Sequence, residues 1–440
     1  MLFHLCPELL HEIGTQLAPS DQKRLRTVCR ELNAAMQPLA CSCLVVKLTE
    51  DDLCGDMLTR ISSGMTGWSR WATMLRILPG VHEYSHTIAT VPASQAPVLT
   101  AALMSLKNLH TISWKMHTND AEWTRDVVCA FLSVAHGIRD FQLQTSGYHM
   151  DGDVPLGAIR GLRKLTANAP YWGPKFPVPQ IAKNIVENRN SLTSIHLVHS
   201  WPWREIWTLL LSDDSLKELR LLDVTTNIVT LDLLKYPSSY SGLRRLKLIR
   251  IGGRNQDESN RLADVFIETV LPLHEDSLVE LSYTADLESR WSFGRHCENA
   301  ISRLHRSEVL GFSVDFDDVS PRVEPENNAV MRLLSIAARL PALAHLSIVG
   351  SGAEHNRGAR CGNPKMNHRA RMNRAINLAV SSFRTDIPSR ATVYAGRKWY
   401  AQHLASAAGD LTTQSETETA LLAYEEFNNP DSKESHSLFY

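Results

Sequence analysis

No uninterrupted apolar run in the sequence approaches the ~20 residues that cross a bilayer. A transmembrane helix is therefore not expected. Charge of one sign is also missing: 46 Lys and Arg stand against 47 Asp and Glu, for a formal net charge of -1. That balance gives no reason to expect nucleic acid or an anionic membrane as the main partner. The opening residues carry no basic leader before an apolar core, because Pro7 and Glu8 interrupt them. A secretory leader is not expected. The eight cysteines are scattered, and none forms a CxxC. Cys41 and Cys43 lie closest, with no second pair to complete a zinc site. Reduced, buried thiols in the cytoplasm or nucleus follow. Phosphate-cradling glycine loops and the GxSxG elbow are absent as well. No catalytic residue and no cofactor is expected.

What remains is 440 residues, 43% hydrophobic and 21% charged, enough for two or three ordinary domains or one long repeat array. Two amphipathic patterns fill the first forty residues. Leu5, Leu9, Leu10, Ile13 and Leu17 recur at steps that place them on one side of a helix. Pro7 suits the first turn, where its missing N–H costs nothing, and Glu8 favours the positive end of the dipole. Ala18-Pro19 stops this helix, and Ser20 and Asp21 offer caps for the next. Leu25, Val28, Cys29, Leu32 and Met36 then fall at helical spacing, and Pro38 is expected to end the pattern. Such a unit has too much apolar surface to leave in water.

The order of these residues resembles an F-box. The family pattern is Leu-Pro-x-Glu-Leu, then Leu, Ile and Leu at helical steps, a Ser/Pro-Asp turn, and Leu-x-x-Val-Cys-Arg. Leu5, Glu8, Leu9, Leu10, Ile13, Leu17, Pro19, Asp21, Leu25, Val28, Cys29 and Arg30 match it. The proline position holds Cys6, with Pro7 beside it, and no aromatic follows the Cys-Arg pair. The resemblance implies an F-box over 1–45 that docks on a Skp-family adaptor. Leu5, Pro7, Glu8, Leu9, Leu10, Ile13, Leu17, Leu25, Val28 and Cys29 would be the docking residues.

From residue 43 the texture becomes "CLVVKL", a β-strand. A Leu-x-x-Leu-x-Leu form then recurs. It starts at Leu106, Ile138, Leu162, Leu192, Leu216, Leu243, Leu278, Val309 and Leu343, and more loosely at Val81. The starts are 24 to 35 residues apart, with helix-like stretches such as 261–274 and 329–343 between several of them. A short strand plus a helix at this period is leucine-rich-repeat logic, in which each unit buries its apolar face against its neighbours. The expected fold is therefore α/β: an N-terminal F-box helical hairpin, then an irregular leucine-rich-repeat-like array with a parallel sheet over 46–400. The Asn/Cys ladder of regular repeats is missing. The array resembles those of F-box proteins of the leucine-rich-repeat type, including families expanded in fungi.

Near the end, 354–374 is basic and Gly/Pro-rich, and reads as a loop. A helix is expected over 372–384, a strand over 390–396, and a last helix in "RKWYAQHLASAA". Residues 409–440 read as a disordered acidic tail with at most one short helical piece. The sequence His82-Glu83-x-x-His86 matches the zinc-hydrolase form, but Pro79-Gly80 before it and a β-branched run after it favour a strand or loop. In a strand the two histidines lie ~13 Å apart, too far to share one ion.

Side chains alternate along a strand. The residue between the last two apolar positions of each repeat therefore faces out of the sheet. Down the repeats that column is expected to hold Ser113, Gln142, Thr166, His196, Arg220, Lys247, Ser282, Ser313 and Ser347. Its cationic middle would suit an acidic or phosphorylated target, with His196, Arg220, Lys247, Ser282 and Ser313 as contacts. Taken with the resemblance, these features imply a non-catalytic substrate receptor of an SCF-type ubiquitin ligase. Its partners would be the adaptor, a cullin through it, and a target protein. A leucine-rich-repeat scaffold outside any ligase is the alternative, and a zinc hydrolase a remote one.

Overall fold

A computed structural model describes residues 5–49, 56–80, 91–146, 156, 159–168, 178–198, 203–252, 255–354, 363–404 and 421–427. The chain divides into two compact units. One comprises Met1–Leu209 with Asp213–Leu219, and the other Leu210–Ser212 with Arg220–Tyr440. Both are α/β arrays of leucine-rich-repeat type built on parallel strands.

The first unit opens with three helices, α1 (Pro7–Thr15), α2 (Pro19–Leu25) and α3 (Arg30–Ala40). Pro7 and Pro19 each stand at the first helical position after an extended residue, Cys6 or Ala18. The second helix therefore starts at Pro19, and Ser20 and Asp21 lie inside it rather than capping it. The cap of α3 is Cys29, whose Sγ accepts from the Leu32 N–H at 3.5 Å. Pro38 sits within α3 instead of ending it. Leu10, Leu32, Ala35 and Met36 form a small core, with Leu5, Leu25, Cys29 and Leu39 packed against it. Gly14 lets α1 approach α3: a Cβ there would stand 2.6 Å from the Met36 Sδ. Gln22 fastens α2, donating from Nε2 to the Gly14 and Leu17 carbonyls at 2.9 and 3.1 Å.

Six strands follow: β1 (Cys43–Lys47), β2 (Met74–Leu78), β3 (Thr111–His117), β4 (Asp140–Ser146), β5 (Lys164–Asn168) and β6 (Ser194–Val198). Each pairs in parallel with the next. One face is apolar throughout, with Leu44, Leu75, Ile112, Trp114, Phe141, Leu143, Leu165, Ile195 and Leu197 all buried. Helices such as Glu122–Val134 and Val178–Glu187 connect the strands. Between the strands runs a ladder of shared carbonyls. Arg139 and Asp140 both donate to the His110 carbonyl, Arg163 and Lys164 to that of Arg139, and Thr193 and Ser194 to that of Arg163. This backbone ladder does part of the work for which regular repeats use a side-chain Asn. Asn188 adds a side-chain version: its Oδ1 accepts from the Leu162 N–H at 2.9 Å, and its Nδ2 donates to the Ile159 carbonyl at 2.8 Å.

The second unit repeats the plan. Its parallel strands are β7 (Asp223–Thr226), β8 (Arg245–Ile251), β9 (Glu280–Ala285), β10 (Val309–Val314) and β11 (His345–Gly350). After the two-residue strand β12 (Arg384–Thr385), β13 (Thr392–Ala395) joins β11 in parallel. Two antiparallel strands, β14 (Lys398–Leu404) and β15 (Leu422–Phe427), close this end, with β12 pairing on β15. An aromatic cluster fills the core, where Tyr283 meets Phe266, Trp291 and Phe312 with ring centres 4.9 to 6.3 Å apart. The helix Gln256–Val265 widens to a π-turn over Phe266–Val270 before Pro272, which carries no N–H for the preceding turn. Buried His274 ties two repeats together, its Nδ1 accepting from the Leu243 N–H at 3.2 Å and its Nε2 paired with the Pro237 carbonyl at 3.1 Å.

Three expectations for the C-terminal region are corrected. Of the segment read as a last helix, Lys398–Leu404 is strand β14, because Gly396 and Arg397 take positive φ of 51 and 71° and form a tight hairpin turn. A helix already runs from Asn363 to Ser382, so the second half of the basic stretch is helical rather than loop. Within the stretch expected to be a disordered tail with at most one short helical piece, Leu422–Phe427 is a strand that buries Ala423 and Tyr424. Val81 and the His82-Glu83-x-x-His86 sequence lie outside the described residues.

Candidate functional site

The three-helix segment divides its apolar residues between two roles. Leu10 is 4% exposed and belongs to the small core, with Leu5, Leu25 and Cys29 packed beside it. Leu9, Ile13 and Val28 are 51%, 44% and 61% exposed. Leu9 and Ile13 lie one turn apart on α1, rotated by about 100° from the buried line of Leu10 and Gly14. Pro7 and Glu8 are exposed and Leu17 is half-buried. The ten expected docking residues are thus separated by their surroundings: four hold the segment together, and Leu9, Ile13 and Val28 present large apolar side chains to solvent. The backbone N–H of Glu8 and the Cys6 thiol hold the Glu8 carboxyl below its usual range. That leaves an anion at the N-terminus of α1, where the helix dipole favours it.

On the sheets, strand register defines the outward column directly. In the first unit Val45, Arg76, Ser113, Gln142, Thr166 and His196 are successive partners. The residues expected there from Ser113 onward all fall on the column. In the second unit the column is Thr225, Lys247, Ser282, Gly311, Ser347 and Tyr394. Lys247 and Ser282 fall on the column and are half-buried, Ser347 falls on it but is buried like Thr225, Gly311 and Tyr394, and Arg220 and Ser313 lie off it.

Arg220 precedes β7, and its guanidinium lies over the Tyr240 ring, 5.4 Å from the centre. Two overlapping leucine frames explain the slip. Leu216, Leu219 and Leu221 imitate a repeat, but the strand follows the frame of Leu221 and Val224. Ser313 lies two residues beyond the column and is fully buried. Its Oγ accepts from the Ala285 N–H at 2.8 Å and meets the Ser292 Oγ at 3.2 Å. Gly311 takes the column position because a Cβ there would stand 2.6 Å from the Ser282 Oγ.

The electrostatics of the column also differ from expectation. Lys247 Nζ lies 2.7 Å from Glu280 Oε1, and Arg245 bridges Glu280 and Asp223 at 3.8 and 3.5 Å. The cationic middle is therefore neutralised by carboxylates of the flanking column. At the far end of β10, burial pushes the Asp315 carboxyl up to about 6; the hydroxyls of Ser292 and Ser351 oppose that shift, and nearby Glu288 and Asp318 add to it. Among the described residues, no group of three or more His, Cys, Asp or Glu is placed to hold a metal ion. None of the described helices is long and apolar enough to cross a membrane.

No protein-family model matches the sequence, and neither does any curated protein. Among solved structures, the chain is similar to one of the complex of Rad7 and Elc1 in yeast. The identity is 8% and the TM-score 0.36, over 82% of this chain and 91% of that one.

Proposed function

We propose that the chain is the substrate-recognition subunit of an SCF-type ubiquitin ligase. The observation that carries this reading is the exposure of Leu9, Ile13 and Val28 on a short helical segment whose residue order resembles an F-box. Leu9 and Ile13 lie one turn apart on α1, and large aliphatic side chains left exposed side by side on a segment with its own core favour a covering partner. In this reading α1 and the turn before α3 dock on a Skp-family adaptor, which links the chain to a cullin. The docking set narrows to Leu9, Ile13 and Val28 with Pro7, Glu8 and Leu17 around them, while Leu5, Leu10, Leu25 and Cys29 support them from inside.

The arrays hold the target. Half-buried His196 in the first unit, and half-buried Lys247 and Ser282 in the second, offer polar contacts on outward columns. The receptor breaks and forms no bonds. It contributes proximity, raising the effective concentration of a target lysine near the recruited conjugating enzyme.

Co-expression with a Skp-family adaptor tests the proposal. The adaptor is expected to co-purify with the wild-type chain and to be lost on Leu9→Asp with Ile13→Asp, while the circular dichroism spectrum stays unchanged because both positions are exposed. A wild-type chain that purifies free of adaptor, with its other partners retained, refutes it and leaves the repeat-scaffold reading.

A further inference from the structure

We infer that the outward face of β13, β14 and β15, at the end of the second array, is a docking surface for an arginine side chain on an extended target segment. Strand register sets three aromatic residues in a row across that face. Tyr394 on β13 is the partner of Trp399 on β14, and Trp399 is the partner of Phe427 on β15. The rings touch. Tyr394 and Trp399 have centres 5.1 Å apart and planes inclined by 50°, and Trp399 and Phe427 have 6.5 Å and 54°. Tyr394 is buried and braces the row, while Trp399 and Phe427 are half-buried and keep ring surface in solvent. The row continues the column of Ser282, Gly311 and Ser347, so it lies on the side that the array turns away from its core. On the other side of the same strands, Tyr400 and Tyr424 are buried.

Side chains two residues further along each strand share this face. They are Ala401 and Glu425, which are themselves partners in the register. Ala401 is small, so nothing large stands between the rings and the carboxylate, and Glu425 is exposed. Among the described residues, no cation is within ion-pair reach of Glu425, whereas Glu426, on the opposite face, is held by Lys398 at 2.7 Å. An unpaired carboxylate therefore stands about 7 Å from Trp399 on the diagonal of the sheet. That combination selects its ligand. A ring face attracts a cation within ~6 Å of its centre, and the carboxylate pairs with the same cation. Arginine meets both demands at once, because its planar guanidinium stacks on a ring while its fork of donors meets the carboxylate. Its methylene stem lies along apolar surface. Lysine offers only a compact, strongly hydrated charge. A nucleic-acid base would also stack on the rings, but its phosphate would stand against Glu425. The surface adds a target contact on the second array, so it rests on the reading of the arrays as target-holding surfaces and does not depend on adaptor docking.

The test is saturation-transfer difference NMR on the full chain with a short peptide in which a single arginine is flanked by serines, at low ionic strength. Saturation is expected to reach the arginine side-chain protons ahead of the serine protons, and binding to weaken as salt is added. A peptide with glutamine in place of the arginine is expected not to bind, and one with lysine to bind more weakly. Glu425→Gln and Trp399→Leu are each expected to raise Kd about threefold, and the two together about tenfold. Glu268→Gln removes an exposed carboxylate elsewhere in the second unit and is expected to leave Kd unchanged. Glu425 is exposed, so its variant keeps the fold, and the melting temperature checks Trp399→Leu. No binding of the arginine peptide, equal binding by Glu425→Gln, an equal loss for Glu268→Gln, or tighter binding of a single-stranded oligonucleotide each overturns the inference. Dimerisation of the chain that Trp399→Leu abolishes would overturn it too, by assigning the face to a second copy. Failure of this experiment leaves the adaptor reading untouched, since co-purification tests that separately.

Discussion

Replacing Leu9 and Ile13 with alanine gives the sharpest quantitative test of the docking face. Fully burying a Leu, Ile or Val side chain contributes about 1.5–3 kcal/mol. Leu9, Ile13 and Val28 are 51%, 44% and 61% exposed, so about half of that remains to be gained by each when a partner covers it. That is about 1 kcal/mol per side chain. Truncating Leu9 and Ile13 together then costs about 2 kcal/mol of adaptor binding, roughly a thirtyfold rise in Kd. The same pair should cost the fold little, because neither side chain belongs to the small core. Leu10→Ala is the control: at 4% exposure it is expected to lose ~2–5 kcal/mol of stability in the helical segment. Isothermal titration calorimetry against a purified Skp-family adaptor reads the first quantity, and urea denaturation followed by circular dichroism reads the second. Equal adaptor affinity of Leu9→Ala with Ile13→Ala and the wild type would refute the assignment of this face. So would a stability loss for that pair as large as for Leu10→Ala.

Three further predictions concern the second array. Asp315 has its carboxyl raised to about 6 by burial, so the fold favours its protonated form. That contribution is fully present below the ordinary carboxylate pKa and is lost as pH rises through about 6; thermal melts of Asp315→Asn between those limits should lose this dependence. His274 runs the other way. Burial lowers its pKa, so its contribution is present above about 6.5 and lost as pH falls through its depressed value; His274→Gln is expected to flatten the acid side of a denaturation profile. Gly311→Val drives a branched side chain against Ser282 and should cost ~1–3 kcal/mol in urea denaturation. Part of that should return with Ser282→Gly in the same chain, and no return would mean that the contact is not the cause.

How far the sequence specifies this protein depends on which property is read. Apolar spacing located the strands because each repeat must bury the same stripe against its neighbours, and a buried stripe leaves a regular mark in the chain. Ile112, Phe141, Leu165, Ile195, Leu246, Leu281 and Leu346 all stand at that position and are all buried. The frame failed where two leucine patterns overlap, at Leu216–Leu221, because sequence spacing cannot choose between them and pairing with β8 can. It failed again at β14, where the aromatic pair Trp399 and Tyr400 lies beyond a turn of two residues with positive φ. That backbone state leaves only a faint trace in "AGRK".

The chemistry of the surfaces was less legible than the fold, and the reason is physical. Whether Lys247 presents a charge depends on Glu280, thirty-three positions away in sequence and 2.7 Å away in space. Whether Leu9 or Leu10 faces a partner depends on α3, because adjacent residues on α1 differ by about 100° and only packing tells which of them is inside. A surface is defined by what its neighbours leave uncovered, and those neighbours come from distant parts of the chain. The same reasoning directs attention to the helix Asn363–Ser382. The basic residues there were plain in the sequence, but as a loop they had no fixed relation to one another. As a helix they are divided between its sides: Arg371 is seated on Phe316, and Lys365 and Arg374, nine residues apart, face opposite ways.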